Sequence, residues 1–300
     1  GFYIQKRNLR QYNTTIGANV LGYVAEVNRS NLEKDNYYSQ GDIIGKQGVE
    51  LSYEKYLRGE KGIKFIQKDR FNRDIGSFND GLNDINSIPG NDLTITIDSE
   101  LQEYGELLMS NKKGAIVAIE PSSGELLTLV SAPSYNPNLL VGRERSKNYF
   151  ELYQDSIYKP LLDKGLLSTF PAGSPFKVIV GLIALEEKII TEKSTIFCKG
   201  EYIYGRNKKS MKCHCGGGYR NIYNAISESC NSYFADIYRK TISKNNEISD
   251  NFNSWSESVK SFGLGNYLNN DLPIGKKGMI PTSKFYDRWY PDFRWGPTTN

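Results

Sequence analysis

Residues 170–177 read Phe170-Pro171-Ala172-Gly173-Ser174-Pro175-Phe176-Lys177 and lead into an apolar run that continues to Glu186. Pro175 has the fixed φ of a first helical turn and lacks only an N–H that would be unpaired there anyway. A helix over 176–186 is therefore predicted, with Ser174 at its entrance. Free backbone N–H groups and the helix dipole at such an entrance favour a developing oxyanion. Lys177 follows three residues later, which on a helix brings its amine over the same face as the hydroxyl. A serine hydroxyl is a weak nucleophile, and a lysine held neutral by desolvation or by a second cation can take its proton. Taken alone, Ser174 reads first as an ordinary helix N-cap, and only a second motif further along the chain reverses that preference.

The residue census narrows that choice. His214 is the single histidine, so any Ser-His-Asp or Cys-His scheme would have to use it, which disfavours most hydrolase templates. A bare Ser-x-x-Lys match is weak. About two are expected by chance, and Ser52/Lys55, Ser110/Lys113 and Ser156/Lys159 also fit. A second pattern, Ser229-Cys230-Asn231, sits inside the apolar stretch 225–234. Ser-x-Asn triplets also start at Ser77, Ser134, Ser146 and Ser243, but none of these follows the Ser174 helix in such a context.

With 300 residues, 38% of them hydrophobic and 24% charged, the chain has the composition of a globular protein with room for two domains. The net charge of +4 comes from 38 basic and 34 acidic residues that are interspersed, so no basic stripe points to nucleic acid. No run approaches the roughly 18 apolar residues of a membrane span. The start at Gly1 and the ending Pro297-Thr298-Thr299-Asn300 suggest a piece of a longer protein.

Along the chain, residues 1–90 read as β-rich and polar, with a strand over 20–24 and a short helix over 52–57 ended by Gly59. The Asn-, Asp-, Gly- and Pro-rich loop 79–92 predicts a domain boundary, followed by a second domain over 91–300. There, residues 93–97 alternate as a half-buried strand, and Asp98 caps a helix with Leu101, Tyr104 and Leu108 on one face. Residues 115–119 and 126–130 form a hairpin, and helices are expected over 176–186 and 222–238. Strands followed by helices predict an α+β fold.

The pair Ser174-x-x-Lys177 and Ser229-x-Asn231 resembles the first two motifs of the penicillin-binding protein and serine β-lactamase superfamily. The stretches 20–24, 48–50 with 57–59, 93–102, 114–125, 170–177, 225–234 and 262–265 are similar to the class B penicillin-binding proteins, nearest the elongation-specific penicillin-binding protein 2 branch. The resemblance implies a β-rich pedestal (dimerisation-like) domain fragment over 1–90 and a serine β-lactamase-like transpeptidase domain over 91–300. It implies a peptidoglycan D,D-transpeptidase, a β-lactam target, working at the periplasmic face of the bacterial inner membrane. An N-terminal transmembrane helix outside this chain would anchor it. Ser174 would attack the penultimate D-Ala carbonyl of a stem peptide ending in D-Ala-D-Ala. Lys177 would serve as base, Ser229 would relay the proton to the departing D-Ala, and Asn231 would bind the substrate amide. No cofactor is needed for that chemistry. The implied partners are a membrane glycosyltransferase and elongation-complex proteins. The superfamily's third motif, Lys-[Ser/Thr]-Gly, is absent: the pairs starting at Lys193, Lys209, Lys240 and Lys260 all fail at the glycine. The transpeptidase domain is accordingly expected to be C-terminally truncated. Other functions that fit are a septal class B transpeptidase, a serine β-lactamase or penicillin sensor, and a non-catalytic zinc-stapled binding protein.

All four cysteines, Cys198, Cys213, Cys215 and Cys230, fall in one window with His214. A structural zinc takes four N or S ligands, which predicts these four thiols as the set, with His214 as a substitute. The Cys213-x-Cys215 spacing is tighter than the usual Cys-x-x-Cys, so two disulfides or free buried thiols stay open. Some penicillin-binding protein 2 relatives carry a metal in this region, so the resemblance favours zinc.

Overall fold

In the computed structural model, which describes residues 9–205, 207–267, 270–272, 274–290 and 295–297, the chain divides into two units. One comprises Gly1–Ser168 with Asn270–Gly275, the other Thr169–Asn269 with Lys276–Asn300. Gly1 and Thr298–Asn300, the two chain ends, lie outside the described residues.

The first unit opens with α1 (Ala18–Leu21) and β1 (Val24–Glu26), then α2 (Arg29–Lys34) and β2 (Ile43–Gly45), which pairs antiparallel with β1. The strand expected over 20–24 is thus half helix. Gly22 makes the switch, at φ 82° and so close to the next turn that a Cβ there would lie 1.8 Å from the Gln47 carbonyl oxygen. The short helix expected over 52–57 is two, α3 (Gly48–Ser52) and α4 (Glu54–Leu57), separated at Tyr53 (φ −108°, ψ 18°). A hairpin of β3 (Ile66–Lys68) and β4 (Asp74–Ser77) follows. The loop read as a boundary turns back to bridge Ile85 with Ile63 and Ile88 with Glu60.

Residues 93–97 alternate between half-buried and exposed as expected, yet join no ladder as a strand. Asp98 caps α5 (Ser99–Leu108), accepting from the Leu101 N–H at 2.9 Å. The face of α5 that is buried differs from the expected one. Gln102 and Gly105 turn inward, while Leu101, Tyr104 and Leu108 remain exposed. The reason lies in the hairpin beneath, β5 (Gly114–Ile119) and β6 (Leu126–Ala132), whose backbone polar groups Gln102 completes. Its Oε1 accepts from Leu129 N and Thr128 Oγ1, and its Nε2 donates to Leu129 O. Gly105 permits that approach, since a Cβ would meet Val130 Cγ2 at 2.8 Å. Helices α6 (Arg145–Gln154) and α7 (Lys164–Leu167) close the unit's chain order, and Val20, Leu129 and Leu272 form part of its core.

The second unit is built on α8 (Phe176–Glu186), whose bounds match the predicted helix. Two antiparallel pairs come next: β7 (Ile196–Cys198) with β10 (Gly218–Arg220), and between them β8 (Glu201–Tyr204) with β9 (Lys209–Lys212). The single helix expected over 222–238 is two, α9 (Ile222–Ser227) and α10 (Asn231–Ile242), broken at Ser229 and Cys230. Helices α11 (Ile248–Ser261) and α12 (Ser283–Trp289) complete it. Its core runs from Val180, Ile183 and Ala184 through Tyr233 and Ile237 to Phe252, Trp255 and Val259. Each such fully buried aliphatic or aromatic side chain contributes about 1.5–3 kcal/mol, which holds α8 and α10 in fixed register.

Candidate active site

Ser174 lies in the exposed turn that enters α8, and its hydroxyl does not cap the helix. The Lys177 N–H goes to the Ser174 carbonyl at 3.0 Å instead, which leaves Oγ to meet Ser229 Oγ at 2.8 Å. The capping reading of this serine therefore fails on geometry. One turn into the helix, Lys177 directs its amine to three acceptors: Asn231 Oδ1 at 2.6 Å, Ser229 O at 2.8 Å and Ser229 Oγ at 2.9 Å. All four residues named from the sequence, Ser174, Lys177, Ser229 and Asn231, converge within hydrogen-bond reach.

The break between α9 and α10 makes this convergence possible. Ser229 has φ 51°, a left-handed conformation that costs a non-glycine residue about 1–3 kcal/mol and persists only where surroundings enforce it. Its N–H bonds Ile226 O at 3.0 Å, and the Cys230 N–H bonds Ala225 O at 2.8 Å. A continuous helix would instead keep the Ser229 carbonyl within its own ladder. Here both the carbonyl and the hydroxyl face Lys177. Asn231, first residue of α10, is held from the other side, its Nδ2 donating to Lys212 O at 2.9 Å.

Burial lowers the Lys177 pKa below the ordinary lysine value, opposed by the thiols of Cys213, Cys230 and Cys215, and the shift remains downward. A neutral Lys177 that donates to Ser229 O and Asn231 Oδ1 keeps a lone pair for the Ser229 hydroxyl. The Ser229 oxygen can in turn accept from Ser174. The arrangement can thus draw a proton off Ser174 along a two-step path without histidine.

The four thiols converge beside this chain. Their sulfurs all lie within 4.8 Å of one another, with Cys213–Cys215, Cys215–Cys198 and Cys213–Cys230 at 3.2, 3.4 and 3.5 Å. A disulfide needs about 2.05 Å. Tetrahedral zinc at about 2.3 Å from each sulfur sets S···S near 3.8 Å; the three close pairs fall a few tenths of an ångström short of that value, and no pair exceeds 4.8 Å. Backbone N–H groups aim at every sulfur: Gly200 at Cys198, Ser232 and Cys215 at Cys213, Gly217 at Cys215, and Tyr233 at Cys230. Such donors stabilise thiolates. Burial pushes the Cys213 thiol up, but its N–H donors, together with hydrogen bonds to the Cys215 and Cys230 thiols, more than offset this and bring it to about 5, while burial raises Cys215 and Cys230. The donor set and its spacing fit zinc. His214, the expected substitute ligand, is exposed and does not belong to the four-sulfur group.

The sequence reading missed Lys212, Arg220 and Glu228. Lys212 acts through a backbone carbonyl, which no residue type announces. Arg220 bonds Glu228, the residue before Ser229, and the carbonyl of Cys215. Their opposite charges flanking a short helix were the only available signal.

The serine at the entrance of α8 thus bonds the left-handed Ser229 directly, and the half-buried Lys177 meets Ser229 in turn. Residues 114–297 match the penicillin binding protein transpeptidase domain and residues 1–95 the penicillin-binding protein dimerisation domain, and the chain belongs to this family. It is 32% identical over 290 residues to the peptidoglycan D,D-transpeptidase MrdA of Acinetobacter baumannii, covering 95% of this chain and 41% of that protein. To MrdA of Escherichia coli K12 it is 30% identical over 299 residues, covering 95% and 45%. The chain thus spans less than half the length of these relatives. Among solved structures, Helicobacter pylori PBP2 in complex with MreC superposes with a TM-score of 0.77 at 30% identity, covering 95% of this chain and 50% of that one. Pseudomonas aeruginosa PBP2 in complex with WCK 5153 gives 0.75 at 31%, covering 97% and 58%.

Proposed function

We propose that the chain carries the acyl-transfer centre of a peptidoglycan D,D-transpeptidase of cell elongation, with residues 1–90 as pedestal and 91–300 as transpeptidase domain. The observation that carries this reading is the unbroken hydrogen-bonded path from Ser174 Oγ through Ser229 Oγ to Lys177 Nζ. Ser174 Oγ attacks the penultimate D-Ala carbonyl as its proton passes to Ser229, whose own proton passes to Lys177. Collapse of the tetrahedral adduct breaks the D-Ala–D-Ala bond, and the same path returns a proton to the departing amine. An acceptor amine then attacks the acyl-enzyme and restores Ser174. Asn231, fixed at both ends of its amide by Lys177 and Lys212, presents an ordered polar edge to the donor peptide.

The MrdA relatives support elongation rather than septation, and the H. pylori complex supports an MreC-type partner. Similarity to a structure described as coordinating polymerization and crosslinking in a peptidoglycan synthase complex supports pairing with a glycan-polymerising enzyme. A peptidoglycan substrate and the MrdA relatives support work at the periplasmic face of the inner membrane. Cys198, Cys213, Cys215 and Cys230 would hold a structural zinc, which would supply a neutralising charge and a cross-link and take no part in the reaction. The deciding experiment is labelling of the intact protein by a fluorescent penicillin. Covalent labelling that disappears in Ser174→Ala is expected; undiminished labelling of that variant refutes the reading.

A further inference from the structure

Arg220 and Glu228 stand at the two ends of α9, outside the four residues assigned to the chemistry. The Arg220 side chain, 14% exposed, makes three sets of contacts. Its Nε and Nη2 both bond Glu228 Oε2 at 2.8 Å, its Nη2 bonds Cys215 O at 2.6 Å, and its Nη1 bonds Tyr219 O at 3.0 Å. A planar guanidinium with donors on three nitrogens can hold such a set in one geometry, whereas a lysine ammonium on a flexible stem cannot. The residue after Glu228 is Ser229, left-handed and facing Lys177 with both its oxygens. The turn is therefore fastened downstream by Cys230 and upstream by this ion pair.

We propose that Arg220, through Glu228, is a positioning residue for Ser229, a brace that joins the Cys215 loop to the proton path and holds the left-handed turn in its reactive geometry. The inference rests on the acyl-transfer reading above and deepens it. Neither side chain touches the reacting atoms, so their loss should slow acylation and leave lactam binding nearly unchanged. The ion pair spans α9 from end to end. Loosening it lets the strained turn relax toward the helical conformation that the flanking apolar pattern favours, which withdraws the Ser229 hydroxyl from Ser174.

The test uses the intact protein and resolves penicillin acylation into a binding constant and a first-order acylation rate. Arg220→Met is expected to lower the acylation rate by about tenfold, as when a reacting group is displaced by a fraction of an ångström, with the binding constant within about twofold. Arg220→Lys should recover part of the rate. Glu228→Gln should lose about as much as Arg220→Met, and the double variant little more than either, because the two act as one unit. If Arg220→Met does not fold, Arg220→Lys and Glu228→Gln decide the matter by the same split. Wild-type acylation rates in these variants, or additive losses in the double variant, overturn the brace. If the wild-type protein is not labelled at all, the acyl-transfer reading fails first, and the two failures are distinguishable.

Discussion

Lys177 shows how one side chain can replace the histidine that this sequence does not place at the site. Its amine sits among Ser229 O, Ser229 Oγ and Asn231 Oδ1, over the Phe234 ring at 5.9 Å. Burial lowers its pKa, so the neutral amine is more populated at a given pH than for an exposed lysine. Because the base must be neutral, penicillin acylation should rise with pH as Lys177 deprotonates, with a midpoint below the ordinary lysine value of 10.5. Lys177→Met should reduce acylation at every pH by about a hundredfold or more and remove the rise. A midpoint at or above the ordinary value, or a rise surviving in the variant, would count against Lys177 as base. Ser174 and Lys177 were legible in the sequence because their relation is local, three residues apart on one predicted helix. The carbonyl of Lys212 was not, because every residue has one and only the fold selects which is used.

At the scale of elements, the break between α9 and α10 is the feature that apolar periodicity concealed. Ala225, Ile226, Tyr233, Phe234 and Ile237 keep helical spacing across it, so sequence alone extends one helix through 222–238. The interruption is fixed instead by contacts distant in sequence, Lys177 at the Ser229 carbonyl and the cysteine cluster at Cys230. A comparison of two substitutions separates conformation from chemistry at this point. Ser229→Gly and Ser229→Ala both delete the hydroxyl, and both should lose most acylation. Glycine accepts φ 51° without a Cβ penalty, so Ser229→Gly should be the more stable by about 1 kcal/mol, read as a higher denaturant midpoint at equal slope. Equal midpoints would mean that the turn carries no strain. Helix α5 teaches the converse lesson. The alternation of large apolar residues suggested Leu101, Tyr104 and Leu108 as its inner face, but hydrogen bonds from Gln102 and the missing side chain of Gly105 decided which face meets the hairpin.

Across the whole molecule, every residue of the candidate site and all four thiols belong to the second unit, Thr169–Asn269 with Lys276–Asn300. Part of this grouping was legible in the sequence, since Cys230 sits inside Ser229-Cys230-Asn231, so that a metal pinning Cys230 would also fix Ser229 and Asn231. The structure adds a second link: Lys212, whose carbonyl anchors Asn231, directly precedes Cys213. Structural zinc sites in small peptides are worth about 10–16 kcal/mol of apparent binding free energy, more than most domains have in total stability. Removing the metal would leave thiols crowded within 4.8 Å without a shared cation, and relief of that crowding must move Cys213 or Cys230. Movement of Cys213 reaches Asn231 through Lys212 and then Lys177, and movement of Cys230 reaches Ser229 and Asn231 directly. Purified protein should therefore hold about one zinc per chain. A strong chelator should reduce fluorescent penicillin labelling in proportion to the metal lost, and zinc should restore it. Cys213→Ser should reproduce the loss without a chelator. Full labelling of metal-free protein would uncouple the cluster from the site, and a metal-free sample with all four thiols paired would replace the zinc with disulfides.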